Sequence, residues 1–389
     1  MRVNRRTCLT ILVIVIVVAV IGGIFAYRYV SQRVNVRPIT GSGAVAEVEL
    51  PPGFRANVFA EGLNGPRFMA LGPDGVLHVA DRGNGRIVAL PDADGDGVAD
   101  EMRVVADDLT APHSLVYHEQ EAAWFVGVPT GVVLLADEDG DGVAEQREMV
   151  IDDYPTGGHN TRTVEFLPDG RMVVSVGSSC NVCEEEDPRR ATIVIYDGPD
   201  GSGERVYAGG LRNAVGLAIH PNTGELWASN NGRDLMGDDT PPETIYRVED
   251  GADYGWPYCH SNHIVDPDLG FEGACEGVEA PVVEMQAHSA PLGLTFYDGD
   301  LFPPDYQGDL FIAFHGSWNR SVPTGYKVVR LPFEDGQPAN EVVDFATGWL
   351  DRETNNAPGR PVDVVVGADG ALYVSDDKGG FIYRIVYEG

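Results

Sequence analysis

A short β unit recurs six times after Leu50, and this recurrence constrains the fold more than any other feature of the chain. The first copy reads Phe68-Met69-Ala70-Leu71, the turn Gly72-Pro73-Asp74-Gly75, then Val76 to Asp81 and Gly85 to Leu90. Each segment is apolar or alternating and is bounded by Gly, Pro or Asp, the pattern of strands joined by tight turns. Further copies start at Leu115, Val164, Gly216, Gly293 and Val362. None of the intervening segments carries a convincing amphipathic helical period. Six copies of a sheet-sized unit predict an all-β, six-bladed β-propeller. Radial closure removes most free strand edges, so a mostly-β chain of this length stays soluble. The early strand at Phe54 is placed to complete the last blade. A two-sheet sandwich is the alternative, but it gives no reason for six repeats.

Composition agrees: 48 Gly and 26 Pro with 43% hydrophobic residues suit a large β-rich domain. Net charge is −33, and Lys327 and Lys378 are the only lysines. Such a surface repels phosphates and anionic headgroups, which excludes a nucleic-acid partner.

Leu9 to Ala26 is nearly continuous apolar sequence, with no charge between Arg6 and Arg28. A helix of that length spans ~30 Å of hydrocarbon. Arginines flank it on both sides, and Ala44-Val45-Ala46 lies too far downstream for a signal-peptidase site. The expected organisation is a basic segment (1–8), a single transmembrane signal anchor (9–27), a stalk (28–49) and the propeller (50–389). The propeller would stand on the periplasmic or extracellular side of the cell membrane; a cleaved signal peptide is the alternative. Beyond Cys8, the cysteines are the pair in Cys180-Asn181-Val182-Cys183, and Cys259 with Cys275. An even number behind an export-type N-terminus points to two disulfides. A redox or zinc site at the first pair is the alternative.

Two acidic turns recur. Asp92-Ala93-Asp94-Gly95-Asp96-Gly97 returns as Asp137-Glu138-Asp139-Gly140-Asp141-Gly142. Alternate carboxylates before Gly match the first half of a Ca²⁺ loop. In the second copy Asp137, Asp139, Asp141 and Glu148 are the expected ligands, with Glu145 at the ninth place. The first has Arg103 at the closing position. A solvated hairpin tip is the alternative for both.

The chemistry-bearing residues precede the first strand or follow the second strand of their repeats. Gly157-Gly158-His159-Asn160 comes before the strand at Val164, and two glycines let backbone approach a ligand closely. An imidazole there is suited to accept a proton from a substrate hydroxyl. Leu211-Arg212-Asn213, Asn231-Gly232-Arg233, His315-Gly316-Ser317-Trp318-Asn319-Arg320 and Gly359-Arg360-Pro361 occupy equivalent places. Such loops gather around one end of a propeller channel. His113, His159, Arg212, Asn213, Arg233, Arg320 and Arg360 are therefore expected to converge. Guanidinium forks bind carboxylates two bonds at a time, so the pocket would take an anionic ligand.

On these motifs, together with Ser178-Ser179-Cys180-Asn181-Val182-Cys183 and Tyr254-Gly255-Trp256-Pro257, the chain resembles the glucose/sorbosone dehydrogenase family over about residues 50–387. The likeness is nearest to its L-sorbosone dehydrogenase-like branch. The resemblance implies a six-bladed propeller using pyrroloquinoline quinone (PQQ) and Ca²⁺ to oxidise an aldose or sorbosone-type sugar, with a quinone or cytochrome as electron acceptor. It implies His159 as general base and Arg212 as the residue holding the reacting quinone oxygen. Asn213, His113, Arg320 and Arg360 would contact the cofactor. Gly232 and Arg233 would bind the Ca²⁺ that polarises it, and Glu243 would lie near a further Ca²⁺. The chain departs from the pattern twice. Ser178 stands where soluble glucose dehydrogenases carry the acid that orients the base, and Val362 replaces a second carboxylate-pairing arginine. A Ca²⁺-dependent propeller lactonase and a non-catalytic propeller that binds a partner or anionic glycan are the other functions weighed.

Overall fold

The computed structural model of the chain describes Gly22 and residues 45–389. The expected anchor and most of the stalk lie outside the described residues. No helix among the described residues is long and apolar enough to cross a membrane.

Six four-stranded antiparallel sheets form the blades. Blade 1 contains Pro66–Leu71, Leu77–Asp81, Arg86–Leu90 and Arg103–Ala106; blade 2 contains Ser114–His118, Ala123–Val128, Gly131–Ala136 and Gln146–Ile151. Blade 3 is Val164–Phe166, Met172–Val176, Thr192–Tyr196 and Arg205–Ala208; blade 4 is Ala214–Ile219, Leu226–Asn230, Glu243–Val248 and Val283–Met285. Blade 5 is Pro291–Phe296, Leu310–Phe314, Lys327–Leu331 and Val343–Ala346. Blade 6 is Pro361–Val366, Leu372–Asp376 and Phe381–Tyr387, and its outer strand is the early Phe54–Ala60, paired from Phe54 opposite Tyr387. The start and end of the propeller thus share one sheet and close the ring. The first strand of every blade touches the first strands of its two neighbours, so these six strands surround the channel.

The second and third strands are nearly all buried because both of their faces pack against neighbouring blades. Leu372 and Val374 enter the cluster shared with blade 5, while Tyr373 between them enters the one shared with blade 1. Six such clusters fill the six blade interfaces. Burying a side chain of the Val, Leu or Phe type stabilises by roughly 1.5–3 kcal/mol, so most of the favourable energy resides between blades. The fourth strands are half solvated, and Gln146–Ile151 has four exposed residues out of six.

The channel is not open along its length. In blades 1, 4, 5 and 6 the first strand carries a bulge near its start, between Pro66 and Met69, Ala214 and Leu217, Pro291 and Leu294, and Pro361 and Asp363. A bulge re-aims the side chains it displaces. Here Phe68, Val215, Leu292 and Val362 turn onto one another as a separate apolar cluster. The cluster separates two chambers. The lower one, about 390 Å³, is lined by residues of all six first strands, including Glu165 and Asp363. The upper one holds the candidate site.

Both expected disulfides are present, Cys180–Cys183 and Cys259–Cys275. The second closes an insertion between the third and fourth strands of blade 4. The acidic turns join the third and fourth strands of blades 1 and 2, at the end of the propeller away from the upper chamber. Each clips its blade to the preceding one, through Ala99 N–H to Phe59 O and Ala144 N–H to Val105 O, both 2.8 Å.

Candidate active site

The upper chamber measures about 240 Å³ and is walled by Arg67, His159, Thr161, Arg212, Asn213, Asn231, Gly232, Asp234, Glu243, His288, His315, Trp318, Asn319 and Arg360, among others. Its floor includes Val215 and Leu292 of the apolar plug. The wall is built by extending the first and second strands of each blade one step beyond the sheet. His159 N–H bonds Ser178 O at 2.9 Å, Asn231 N–H bonds Asn213 O at 3.0 Å, His315 N–H bonds Ala290 O at 2.9 Å, and Asp377 N–H bonds Arg360 O at 3.3 Å. Functional side chains therefore arrive in cross-strand pairs. In blade 2 the pair is His113 with Gly127, which has no side chain to offer.

His159 sits where its imidazole must be neutral. Burial and the nearby Arg212 lower its pKa to about 4. Its Nδ1 lies 2.9 Å from Ser178 Oγ and 3.1 Å from Ser178 O. The Ser178 hydroxyl hydrogen is committed to Cys180 O at 2.7 Å, so Oγ accepts. Both neighbours of Nδ1 are acceptors, which places the proton on Nδ1 and leaves the lone pair on Nε2. Ser178 thus does the orienting that an acidic residue would do. Gly158, at φ +61°, is required beneath the histidine: a Cβ there would lie 2.4–2.5 Å from the Ser179 backbone.

Arg212 is 4% exposed and its guanidinium makes four hydrogen bonds, leaving one Nη1 hydrogen uncommitted. Nε donates to Asn181 O at 3.0 Å, Nη2 to Asn181 Oδ1 at 3.0 Å and Asp234 Oδ2 at 2.8 Å, and Nη1 to Asn231 O at 3.4 Å. Burial lowers its pKa, with Asp234 opposing. Asn213 accepts from Thr161 Oγ1 at 2.8 Å through Oδ1.

On the blade 5 and 6 wall, His315 Nε2 bonds both oxygens of Asp377 at 3.0 Å, and Asp377 also takes Arg67 Nη1 at 3.1 Å. Burial lowers the His315 pKa to about 4. Burial opposes ionisation of Asp377, but His315 and Arg67 hold its carboxyl well below the usual range. Arg360 donates Nε to His315 O at 3.0 Å and Nη2 to Gly316 O at 2.9 Å, with its charge 5.5 Å from the Tyr326 ring centre. It forms no ion pair. Among the described arginines of the chamber it is the one without a carboxylate in direct contact, although Asp377 lies near enough to feel its charge.

Asn319 presents a different chemistry. Nδ2 donates to Asp234 Oδ1 at 2.9 Å and reaches His288 Nδ1 at 3.2 Å. His288 Nε2 donates to Gly237 O at 2.9 Å, so its Nδ1 accepts and the amide orientation is fixed. Asn319 Oδ1 is left buried without a partner. Nearby, Glu243 takes Gly232 N–H on Oε2 at 2.7 Å and Ala290 N–H on Oε1 at 3.2 Å, and burial raises its pKa to about 7. It braces the Gly232 turn. Three arginines for an anion and an unsatisfied carbonyl oxygen beside carboxylates for a cation fit a polycarboxylate with a hard metal ion.

Three expected site residues lie elsewhere. His113 is buried against Phe68 of the plug, 4.9 Å between rings, with Nε2 3.2 Å from Thr163 Oγ1. The Arg233 side chain pairs with Asp266 and Asp268 of the blade 4 insertion. Arg320 pairs with Asp239 at 3.1 Å and bonds Asp238 O and Ala287 O, tying down the loop before Glu243. The cation-rich mouth is also more balanced than expected, since Asp234 and Asp377 offset Arg212 and Arg67. Arg67, His288 and Asp234 were missed: His288 precedes the first strand of blade 5 and Asp234 follows the second strand of blade 4, whereas Arg67 lies within the first strand of blade 1. In the second acidic turn Asp137, Asp139, Asp141 and Glu145 carry carboxylate oxygens within 4.8 Å of one another. Glu148 is not among them, because it lies inside strand Gln146–Ile151 opposite Leu134.

The sequence matches the TrAA12-like family over residues 48–269 and 268–388. It is 26% identical over 413 aligned positions to a pyrroloquinoline quinone-dependent pyranose dehydrogenase of Coprinopsis cinerea, covering 87% of this chain and 54% of that protein. An uncharacterized protein of Borreliella burgdorferi is 35% identical over 230 positions, 57% of this chain and 58% of its own. The chain thus spans a little over half the length of these curated relatives. The holo PQQ domain of the Coprinopsis cinerea pyranose dehydrogenase superposes with a TM-score of 0.75 at 24% identity, covering 89% of this chain and 98% of that one. A calcium structure of the Trichoderma reesei family AA12 enzyme gives 0.74 at 22% identity, covering 91% and 99%. At these identities the likeness speaks for the fold.

Proposed function

The chain belongs to the TrAA12-like family, and on that premise we propose that it is a PQQ- and Ca²⁺-dependent sugar dehydrogenase acting on an aldose or sorbosone-type substrate. The observation that carries the reading is the neutral His159, its Nε2 without a hydrogen bond to the described residues, beside a buried Arg212 in a chamber whose Arg360 makes no ion pair with them.

PQQ, when bound, supplies a two-electron hydride acceptor that neither imidazole nor guanidinium can replace. Arg360 and Arg67 would hold its carboxylates, and Asn213 would bond its rim. Gly232 and Arg233 main-chain oxygens, with Asn319 Oδ1, would hold the Ca²⁺. His159 Nε2 takes the proton from the substrate hydroxyl as hydride leaves the same carbon. Arg212 presents a fixed positive charge where negative charge develops, and its dense hydrogen bonding means little reorganisation is needed. Trp318, 57% exposed, lines the chamber and is available to contact a bound sugar. Electrons then pass to a quinone or haem acceptor, with the propeller tethered outside the cell membrane through residues 9–27. The acidic turn Asp137–Glu145 would hold a second, stabilising Ca²⁺.

The chamber supports a lactonase less well. Among the described residues, groups of three or more metal-ligating side chains lie on the acidic turns and at the Cys180–Cys183 disulfide, not in the chamber. The test is dye reduction by the Ca²⁺- and PQQ-supplied protein across a sugar panel, with lactone hydrolysis measured without quinone. Sugar-dependent reduction abolished by His159→Ala supports the proposal. Lactone hydrolysis with no dye reduction overturns it.

A further inference from the structure

The turn closed by Cys180–Cys183 contacts Arg212 directly and reaches His159 through Ser178. Asn181, inside that turn, makes five hydrogen bonds. Its Oδ1 accepts from Arg212 Nη2 at 3.0 Å and from Asp234 N–H at 2.8 Å, and its Nδ2 donates to Asp234 O at 3.0 Å. Its main-chain oxygen accepts from Arg212 Nε at 3.0 Å and Trp256 Nε1 at 3.2 Å. One residue upstream, Cys180 O takes the Ser178 hydroxyl and so fixes which nitrogen of His159 carries the proton.

We propose that Asn181 is a positioning residue: held by the disulfide-closed turn, it fixes the Arg212 guanidinium against Asp234 and keeps it beside His159. Both functions of an amide are used at once, an acceptor toward two donors and a donor toward a carbonyl. Leucine has the same shape and satisfies none of them. The neighbouring Val182 contacts neither reacting residue through a polar group, so it serves as a control within the same turn. Arg190, the other cation near His159, bonds His159 O at 3.2 Å and Gly177 O at 3.0 Å and does not touch Asn181. The Asn181 side chain therefore reaches His159 through Arg212, whereas reduction of the disulfide also reaches it through Cys180 O and Ser178.

This inference rests on the reading of His159 and Arg212 given above, but one of its tests needs neither cofactor nor sugar. The His159 imidazole is titrated by NMR in the full-length chain, in wild type, Asn181→Leu, Val182→Ala and wild type with Cys180–Cys183 reduced. Arg212 is the largest charge lowering the His159 pKa after burial. Loss of the Asn181 amide contact, one of the four hydrogen bonds of Arg212, raises the His159 midpoint by half a pH unit or more in Asn181→Leu, as does reduction of the turn, and Val182→Ala leaves it in place. In the PQQ-supplied enzyme Asn181→Leu lowers kcat at least tenfold with KM for sugar within twofold. A His159 midpoint within 0.2 of wild type in both Asn181→Leu and the reduced protein overturns the assignment. Absence of sugar oxidation in the wild type overturns the functional reading alone and leaves the titration to decide this one.

Discussion

Gly177→Ala isolates how closely the base is held. Gly177 follows the second strand of blade 3, and its φ is not in the left-handed region, so the backbone accepts alanine. The added Cβ would lie 2.5 Å from Asn213 Oδ1 and 2.6 Å from His159 Cβ, where ordinary contact begins at 3.4 Å. Asn213 has little room to swing, because its Oδ1 holds the Thr161 hydroxyl. His159 Cβ moves only with its loop, which Gly158 seats against Ser179 and His159 N–H ties to Ser178. The difference between 3.4 and 2.6 Å requires a shift of ~0.8 Å at His159. Overpacking of this kind costs roughly 1–3 kcal/mol, and a ~1 Å misplacement of a catalytic group costs about 10²-fold in rate. Thermal unfolding should fall by a few degrees. Steady-state dye reduction by the PQQ-supplied enzyme should show kcat down about 100-fold. A variant with wild-type kcat and an unmoved His159 resonance would refute the claim that this contact sets the position of the base.

Other outcomes follow from the buried charges and the acidic turns. Burial in the lower chamber raises the Glu165 pKa to about 8, with Asp363 adding to the rise. The folded state therefore binds the proton more tightly than the unfolded chain, and stability falls as pH rises from the ordinary carboxyl range through about 8. Glu165→Gln should flatten this slope by up to ~1.4 kcal/mol per pH unit, read as urea midpoints at pH 5 and pH 8; an unchanged slope counts against the burial argument. Ca²⁺ added after chelation should raise the melting temperature, and Asp139→Asn with Glu145→Gln should remove most of that rise, whereas Glu148→Gln should not. Equal effects of the two substitutions would return Glu148 to the ligand set.

Much of the architecture was legible because propeller blades repeat a local pattern. Turn residues and apolar runs located three strands of every blade, and the early Phe54 segment was placed in the last one. The fourth strands escaped notice because half-solvated edges such as Gln146–Ile151 carry no apolar period. Most of the chamber wall comes from positions before the first strand and after the second, with Arg67 inside a first strand as an exception. This placement follows from backbone pairs such as His159 with Ser178 and Arg360 with Asp377. The choice within each loop did not follow from it. Arg233 and Arg320 adjoin residues that do line the chamber, but their side chains turn outward to Asp266, Asp268 and Asp239. Those partners are distant in sequence, so no local pattern reveals the direction. Val362 makes the same point in reverse. As a missing arginine it looked like a loss, whereas in three dimensions it completes the plug with Phe68, Val215 and Leu292.

The central claim is that the upper chamber takes a tricarboxylate quinone together with a hard cation. Equilibrium titration of PQQ into the purified full-length protein, with Ca²⁺ and again with chelator, addresses it without any choice of sugar. Saturable one-to-one binding is expected with Ca²⁺, weakened at least tenfold by chelation and by Arg360→Met. Absence of saturable binding, or binding indifferent to both Ca²⁺ and Arg360, would contradict it.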